Sequence, residues 1–281
     1  MRNWMGGLLL AAAVIDGPAQ AAPPQRLISL APGLTELVCA AGACEHLVGV
    51  SAYSDYPASV KTLPQVADAV SVNLEIVLGL KPDLVLAWDG GTAPATIARL
   101  RGLHLRVENI TVRKLDDVAT ALQQLGALLG TQDQAQAAAT AYRARLAALR
   151  ARWRDAAPIR AVYQIETAPA YSVNRDSPIS EAITLCGGVN IFAGLSQLAA
   201  PIGAESMLAA GPEVVLYGGE ENAEAMRNYW TRLPAAPAQR LGNLYPVNAD
   251  LLGREGPRLV DGVEQVCEVL DQARAKRAAA H

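Results

Sequence analysis

The feature that most constrains the fold is a long helical stretch in the middle of the chain. Residues 132–155 are mostly Ala, Arg, Gln and Leu, which are strong helix formers, and they include no Gly or Pro. At a rise of about 1.5 Å per residue this helix would be about 35 Å long. That is longer than a lobe of this size needs, and Pro158 marks its end. We therefore expect a rigid helix that joins two separately folded parts of the chain.

On both sides of this helix, strand-like and helix-like segments alternate. The apolar segments rich in Val, Ile and Leu predict strands at residues 26–31, 47–51, 84–88, 105–110, 160–165, 189–192, 214–217 and 244–247. The segments between and after them predict helices at residues 34–41, 74–80, 93–101, 114–129, 179–185, 205–210, 223–232 and 257–276. Such alternation is typical of parallel sheets covered on both faces. The predicted fold class is therefore α/β, with Rossmann-like lobes at residues 23–130 and 157–281 joined by one long rigid α-helix at residues 131–156.

An internal repeat supports two lobes of related plan. Residues 74–86 align on residues 204–216 without a gap, and Glu75 falls on Glu205. Each copy reads as a short helix, a turn of proline followed by an acidic residue, and a buried strand. Chance similarity between two ordinary βα units is the alternative explanation.

The first residues predict export. Arg2 is followed by an apolar segment at residues 4–15 that is too short to span a bilayer, and Ala19-Gln20-Ala21 has the small-x-small pattern of a cleavage site. We expect residues 1–22 to be a signal peptide, with a frayed cytosolic terminus as the alternative. No cysteine lies near the cut, which argues against a lipoprotein anchor.

An even number of cysteines in an exported chain favours disulfides. The spacing of Cys39, Cys44, Cys186 and Cys267 suggests one bridge within the first two and another within the last two. A single disulfide and free buried thiols are the alternatives. A zinc site fits poorly, because the chain has no C-x-x-C motif and only three histidines.

Motifs that would carry chemistry are not found. The chain has no G-x-G-x-x-G, G-x-S-x-G or H-E-x-x-H motif, and the glycine doublets at 90–91, 187–188 and 218–219 predict turns. We expect His46 and His104 to be structural or exposed. The net charge of −3 without a basic stripe argues against nucleic acid as a partner. We therefore predict no catalytic residue, resident metal or cofactor, and keep an exported α/β hydrolase as the alternative.

Aromatic and charged side chains follow the predicted strands, where open α/β sheets bind ligands. These residues are Tyr53, Tyr56, Trp88, Tyr171, Asp250 and Arg254. Flat apolar faces with a few directed polar groups suit a large, partly planar ligand. For any single aromatic residue, core packing is the alternative.

Several longer motifs resemble one family over residues 26–273. They are ISLAPGLTELVCAAGA at 28–43, LVGVSAYSDYP at 47–57, NLEIVLGLKPDLVLAW at 73–88, CGGVNIF at 186–192 and GPR at 256–258. Together they are similar to the class III periplasmic binding proteins, which have a helical backbone between two lobes and serve cobalamin, haem and siderophore importers. The resemblance implies a periplasmic monomer whose partners are a small-molecule ligand and an ABC permease dimer with its ATPase.

Within this family the motifs are most similar to the cobalamin-binding branch. That likeness implies that the corrin ring is lined by Tyr53, Trp88 and Tyr171 and that its polar substituents meet Asp250 and Arg254. It also implies the Cys186–Cys267 bridge. Glu75 and Glu205 would pair with arginines of the two permease subunits, although acidic residues are also favoured near helix N-termini by the helix dipole.

The chain departs from this branch at two pocket positions. Where the branch has tryptophans, this chain has Ala69 and either Ala199 or Ala200. The pocket would then bind cobalamin differently or take another tetrapyrrole or metal chelate. The alternative ligand is haem or a ferric siderophore, for which Tyr53, Tyr56 or Tyr171 would supply an axial group. A receptor or sensor role is a further alternative.

Overall fold

The structure, a computed structural model, describes residues 22–68 and 70–280. Residues 1–21 of the predicted signal peptide and Ala69 lie outside the described residues. The strands are β1 Leu27–Ser29, β2 Leu47–Ser51, β3 Gln65–Ala67, β4 Leu84–Trp88, β5 Val107–Ile110, β6 Ile159–Gln164, β7 Tyr171–Val173, β8 Gly188–Asn190, β9 Ala199–Pro201, β10 Val214–Gly218 and β11 Leu244–Val247. The helices are α1 Pro32–Ala40, α2 Leu74–Gly79, α3 Pro94–Gly102, α4 Asp117–Leu129, α5 Gln132–Trp153, α6 Pro178–Leu185, α7 Ala204–Ala210, α8 Ala223–Trp230, α9 Pro237–Leu241, α10 Ala249–Gly253 and α11 Leu259–Ala279.

The N-terminal sheet has the strand order β3-β2-β1-β4-β5 and is parallel throughout. Its central register places Leu27 opposite Leu47 on one side and Leu84 on the other. All three side chains are buried, because helices cover both faces of the sheet. Strand β3 is absent from the sequence prediction, because its three residues are too few to show a period.

The C-terminal sheet has the strand order β11-β10-β6-β8 and is also parallel. The antiparallel pair of β7 and β9 stands beside it and aligns Tyr171 with Pro201. Tyr171, which the sequence places in a loop after the predicted strand at residues 160–165, instead begins β7. Its partner strand lies nearly thirty residues further along the chain, so local sequence carries no sign of the pairing.

The predicted α/β class, with two lobes and one long helix, is confirmed. Helix α5 runs unbroken between the two sheets and ends at Trp153, slightly before the predicted end. Helix α4 begins at Asp117 rather than at residue 114, because the Asp117 carboxylate accepts the backbone N–H groups of Arg113 and Lys114, each at 2.9 Å, and holds them in a turn. No helix among the described residues is long and apolar enough to cross a membrane.

Both disulfides that the spacing suggests are present. Cys39 is bonded to Cys44, which ties the end of α1 to the turn before β2. Cys186 is bonded to Cys267 across 81 residues and ties the end of α6 to the middle of α11. Closing a loop of this length in the unfolded chain stabilises the folded state by roughly 4 kcal/mol.

Close packing of α4 on α5 depends on a glycine. A Cβ atom on Gly126 would lie 2.4 Å from the Cβ of Ala135. We expect Gly126→Ala to push the two helices apart and to lower the free energy of unfolding by about 1–3 kcal/mol. Gly102→Ala in α3 is the control, because that Cβ meets no atom within 4 Å. It should be neutral or stabilising by a few tenths of a kcal/mol.

Urea unfolding measures both variants. Equal urea midpoints of unfolding for Gly126→Ala and the wild type would show that α4 and α5 can accommodate a methyl group at this position.

Candidate ligand-binding cleft

The carboxyl ends of the two sheets face each other. Asp55 follows β2 of the N-terminal sheet, and Arg254 follows β11 of the C-terminal sheet and the short helix α10. The Arg254 guanidinium donates a hydrogen bond to the Asp55 carboxylate. This contact joins the two lobes at one end of a cleft formed by strand ends, which is where open α/β sheets bind ligands.

A pocket of about 330 Å³ opens on the N-terminal side of this cleft. Its wall is mostly apolar and includes Leu30, Pro32, Ala52, Tyr53, Trp88 and Thr92. Two of the aromatic residues singled out in the sequence, Tyr53 and Trp88, are thus brought together. Such a wall suits the flat face of a large ligand.

Tyr53 is held in a rarely populated backbone conformation. Its φ is +63°, which is uncommon for a residue with a side chain, and its side chain is 77% exposed. The turn is fixed by buried hydroxyl groups, because Ser54 Oγ lies 3.1 Å from both Ser51 Oγ and Thr35 Oγ1. Strained residues of this kind cluster at binding sites, where the surrounding structure holds them in place.

Trp88 lies flat on two glycines. A Cβ atom on Gly90 would lie 2.4 Å from the indole Cζ2, and one on Gly91 would lie 2.3 Å from Cζ3. The Trp88 backbone N–H also donates to Thr92 Oγ1 at 3.0 Å. The sequence predicts Gly90-Gly91 as a turn only, yet these residues also make room for the ring. A glycine doublet just after an aromatic residue is the signal that could have indicated this.

Arg254 lies at the centre of a charged cluster between the lobes. Its side chain is only 10% exposed, and it lies 2.8 Å from Asp250 and 3.6 Å from Glu36, besides contacting Asp55. The hydrogen bond from Arg254 holds the pKa of Asp55 below its ordinary value. The structure thus brings the predicted pair Asp250 and Arg254 together, and adds Asp55 and Glu36, which the sequence did not single out.

Tyr56 is engaged by an arginine rather than free. The Arg258 guanidinium lies 4.1 Å from the centre of the Tyr56 ring, a cation–π distance. Arg258 also donates two hydrogen bonds to the buried Glu36, with Nη2 to Oε1 at 2.5 Å and Nε to Oε2 at 2.9 Å. Tyr56 therefore forms part of the contact between the lobes.

Tyr171 belongs to the other lobe and does not line the pocket around Tyr53 and Trp88. It is partly exposed, and its backbone bonds to Ile165 on one side. Ala200 pairs with Ser172 and Ala199 with Val173, so the two alanines of β9 lie beside the strand that Tyr171 begins.

Glu75 and Glu205 occupy equivalent places in the two lobes. Each lies in the first turn of its helix, α2 or α7, and each is exposed. Neither carboxylate has an ion pair or a hydrogen bond to the rest of the described chain. Asn73 caps α2 by accepting the N–H of Ile76 at 3.1 Å, which leaves the Glu75 side chain free to face outward.

The two described histidines lie far from the strand carboxyl ends. His46 immediately precedes β2, and His104 lies shortly before β5, so both are at amino ends of strands. Within residues 22–68 and 70–280, no group of three or more His, Cys, Asp or Glu side chains is placed to hold a metal ion. A ligand in the cleft would thus meet tyrosines, carboxylates and arginine rather than imidazole.

Glu255 is an unexpected carboxyl group beneath Trp88. It lines a small cavity of about 40 Å³ together with Pro32, Gly33 and Trp88. Burial raises the pKa of Glu255 from 4.5 to about 7. The indole N–H of Trp88 approaches the carboxyl and opposes part of this shift, although it makes no hydrogen bond of normal geometry.

This pKa predicts a pH-dependent stability. Between about pH 4.5 and pH 7 the unfolded chain releases the Glu255 proton while the folded chain keeps it. The free energy of unfolding should therefore fall as pH rises through this window, by on the order of 3 kcal/mol, and level off above it. Glu255→Gln should remove this component, so that the variant matches the wild type near pH 4 and is more stable near pH 8.

Urea unfolding across the pH range gives both profiles. A constant difference between variant and wild type at all pH values would contradict the raised pKa.

Two parallel-sheet lobes, one connecting helix and an aromatic pocket at the facing strand ends are the architecture of a two-lobed binding protein. Residues 27–244 match the family model described as periplasmic binding protein. The chain belongs to the periplasmic binding protein family.

Individual relatives cover nearly the whole chain. A vitamin B12-binding protein of Vibrio cholerae is 37% identical over 249 residues, which are 88% of this chain and 90% of that protein. A vitamin B12-binding protein of Pectobacterium carotovorum is 34% identical over 270 residues, which are 95% and 94% of the two chains.

Solved structures agree with the fold. The structure of the periplasmic vitamin B12-binding protein BtuF of Vibrio cholerae matches with a TM-score of 0.83 and 36% identity, covering 90% of this chain and 98% of that one. The periplasmic heme-binding protein BhuT, in complex with two hemes, matches with a TM-score of 0.80 and 26% identity, covering 88% and 98%.

Proposed function

We propose that this chain is a periplasmic binding protein that captures cobalamin or a related corrinoid and delivers it to an ABC importer. Residues 1–22 act as a cleavable signal peptide, and the mature protein works as a monomer without catalysis. We take residues 23–130 and 157–281 as the two lobes and residues 131–156 as the helix between them. The relatives named vitamin B12-binding proteins, at 34–37% identity, support this role.

The observation that carries the ligand assignment is the flat wall of the cleft. A corrin is a large ring with apolar faces and a rim of amide groups. The Trp88 indole, fixed on Gly90 and Gly91, offers a rigid apolar surface, and Tyr53 stands exposed beside it. Each aromatic residue packed against the ring can contribute on the order of 1 kcal/mol beyond its buried area.

The charged cluster suits the rim of the same ligand. Asp250 and Asp55 can accept hydrogen bonds from amide N–H groups, and Arg254 can donate to amide oxygens. Because Arg254 is already paired with Asp55, an amide oxygen would compete for one of its donor groups. We propose that Tyr171 contacts the ligand from the C-terminal lobe.

Haem or a ferric siderophore is the second candidate, supported by the likeness to BhuT. Haem proteins commonly supply an axial His or Tyr. Both described histidines lie at amino ends of strands, away from the cleft. Tyr53 is then a stronger axial candidate than Tyr56, because it is 77% exposed, whereas Tyr56 is 48% exposed with Arg258 over its ring. No imidazole of residues 22–68 or 70–280 lies at the cleft, which favours a corrinoid, whose metal needs no axial side chain from the protein.

The pocket differs from the expected corrinoid pocket at β9. Either Ala199 or Ala200 stands where the resemblance implies a tryptophan, and each offers only a methyl group. Ala69, the other such position, lies outside the described residues. Because the pocket has fewer aromatic side chains, Trp88 should supply a larger part of the apolar contact with the ligand. Ligand affinity should therefore depend strongly on this residue.

Calorimetry with cyanocobalamin and cobinamide tests the ligand. We expect both to bind the wild type, Trp88→Ala to weaken binding by about tenfold or more, and Trp88→Phe to lose only a few-fold, because phenylalanine keeps a flat apolar face. Failure of both corrinoids to bind at tens of micromolar would overturn the corrinoid assignment. A Soret shift on mixing with hemin would then support the second candidate.

Docking to the permease is tested separately. We propose that Glu75 and Glu205 pair with arginines of the two permease subunits. Glu75→Arg combined with Glu205→Arg should abolish corrinoid transport into proteoliposomes while leaving ligand affinity unchanged, because like charges then face each other. Glu224→Arg is the control, since this exposed glutamate also lies in a first turn, that of α8. Normal transport by the double variant would refute the docking role.

A further inference from the structure

Helices α2 and α7 present the same surface from the two lobes. From Glu75 in α2 and from Glu205 in α7 the order of exposed and buried positions is the same, with one buried residue, Val77 or Met207, that anchors the helix to its lobe. An acid, a leucine and a small residue recur at three of the exposed positions in the same order, whereas the exposed Ile76 of α2 corresponds to Ser206 of α7. We call these six residues the twin face: Glu75, Leu78, Gly79, Glu205, Leu208 and Ala209.

The leucines are the unexplained part of the twin face. Leu78 is 43% exposed and Leu208 is 39% exposed. One exposed leucine on a soluble protein needs no explanation. Two at equivalent positions, each on the same helix face as a carboxylate without a partner, form a repeated pattern of charge and apolar surface.

The small residues leave the backbone of this face open. A Cβ atom on Gly79 would meet no atom within 4 Å, and Ala209 is exposed at the equivalent place on α7. A partner can therefore approach either helix closely beside its leucine.

A pair of hydrogen-bonded clamps fixes the twin face to the two sheets. In the N-terminal lobe the Arg26 guanidinium donates to the carbonyl oxygens of Leu80 and Lys81, at 2.7 and 3.1 Å, just beyond the end of α2. The Arg26 backbone N–H donates to the Asp83 carboxylate at 3.0 Å, and the Asp83 N–H donates back to the Arg26 carbonyl at 3.0 Å. Arg26 immediately precedes the central strand β1.

The C-terminal lobe repeats this clamp. The Arg160 guanidinium donates to the carbonyl oxygens of Ala210 and Gly211, at the end of α7. Its backbone N–H donates to the Glu213 carboxylate at 2.9 Å, and the Glu213 N–H donates back at 2.8 Å. Each helix of the twin face is thus locked to a central strand by an arginine that also complements its C-terminal dipole.

We infer that Leu78 and Leu208 are apolar docking contacts, each buried by one subunit of a twofold-symmetric permease beside the basic group that meets the neighbouring glutamate. Two equivalent patches on one rigid chain match a partner that offers two equivalent sites. The unpartnered carboxylates require positive charge on that partner. The inference rests on the proposed importer role and adds an apolar contribution to it.

Binding to the permease–ATPase complex of the same importer, held in lipid nanodiscs, tests this inference. We expect Leu78→Gln and Leu208→Gln each to weaken binding by about tenfold, and the double variant by about a hundredfold, because each patch loses one buried leucine. Leu103→Gln, at a residue 38% exposed beyond the end of α3, should bind like the wild type. Corrinoid affinity and thermal unfolding should be unchanged in all variants.

The outcomes separate the two proposals. If the wild type binds the permease–ATPase complex and the double leucine variant binds it equally well, the apolar contact is overturned and the importer role stays intact. Equal binding of the wild type to empty nanodiscs would also overturn it, in favour of a lipid surface. A wild type that binds the corrinoid but does not bind the complex would overturn the importer role and this inference together.

Discussion

The buried carboxylate of Glu36 holds the two lobes together. It lies on α1 of the N-terminal lobe with its side chain 2% exposed, and it accepts two hydrogen bonds from Arg258 of the C-terminal lobe. Gly256 allows this approach, because a Cβ there would lie 3.2 Å from Glu36 Oε2. An unpaired carboxylate at such a site costs several kcal/mol. Removal of the Arg258 guanidinium would therefore destabilise this contact strongly, because Glu36 would stay buried without its partner.

The connecting helix α5 also restricts the movement of the two lobes. From α5, Arg145 reaches Asp261 on α11 at 2.6 Å, and Arg150 reaches Asp116 beside α4 at 2.7 Å and Glu181 on α6 at 3.4 Å. These pairs are partly exposed, so each contributes little alone. Together with the Gly126 contact between α4 and α5, they tie the helix to both lobes. Ligand capture should thus involve a small closure rather than a wide hinge motion.

The sequence predicts the elements that show a local periodicity, and it misses the strands whose pairing depends on residues far along the chain. The alternation of strands and helices, the long α5 and the repeated helices α2 and α7 follow from periodicity and from the helix-ending prolines. Strand β3 and the pairing of β7 with β9 were missed, because short strands take their stability from neighbours far along the chain. The lobe boundaries proposed from the sequence stay a prediction.

In the candidate site, too, the sequence indicates the residues but not their contacts. The sequence singles out Tyr53, Trp88, Asp250 and Arg254 because they follow strands, where ligand-binding residues of open sheets gather. Their contact with a ligand stays a prediction. Their environment was not predictable: Arg254 is occupied by Asp55, and Trp88 covers Glu255. Both relations join residues from different lobes, and no local pattern encodes such a contact.

Because Trp88 packs on Gly90 and Gly91, substitutions at these three positions depend on one another. No side chain fits beneath the indole, so neither glycine can be replaced while the ring stays in place. Loss of the ring would release both glycines to accept new side chains. Descendants of this chain that change cargo should therefore alter positions 88, 90 and 91 in concert, and the order of substitution is constrained: the ring must go first.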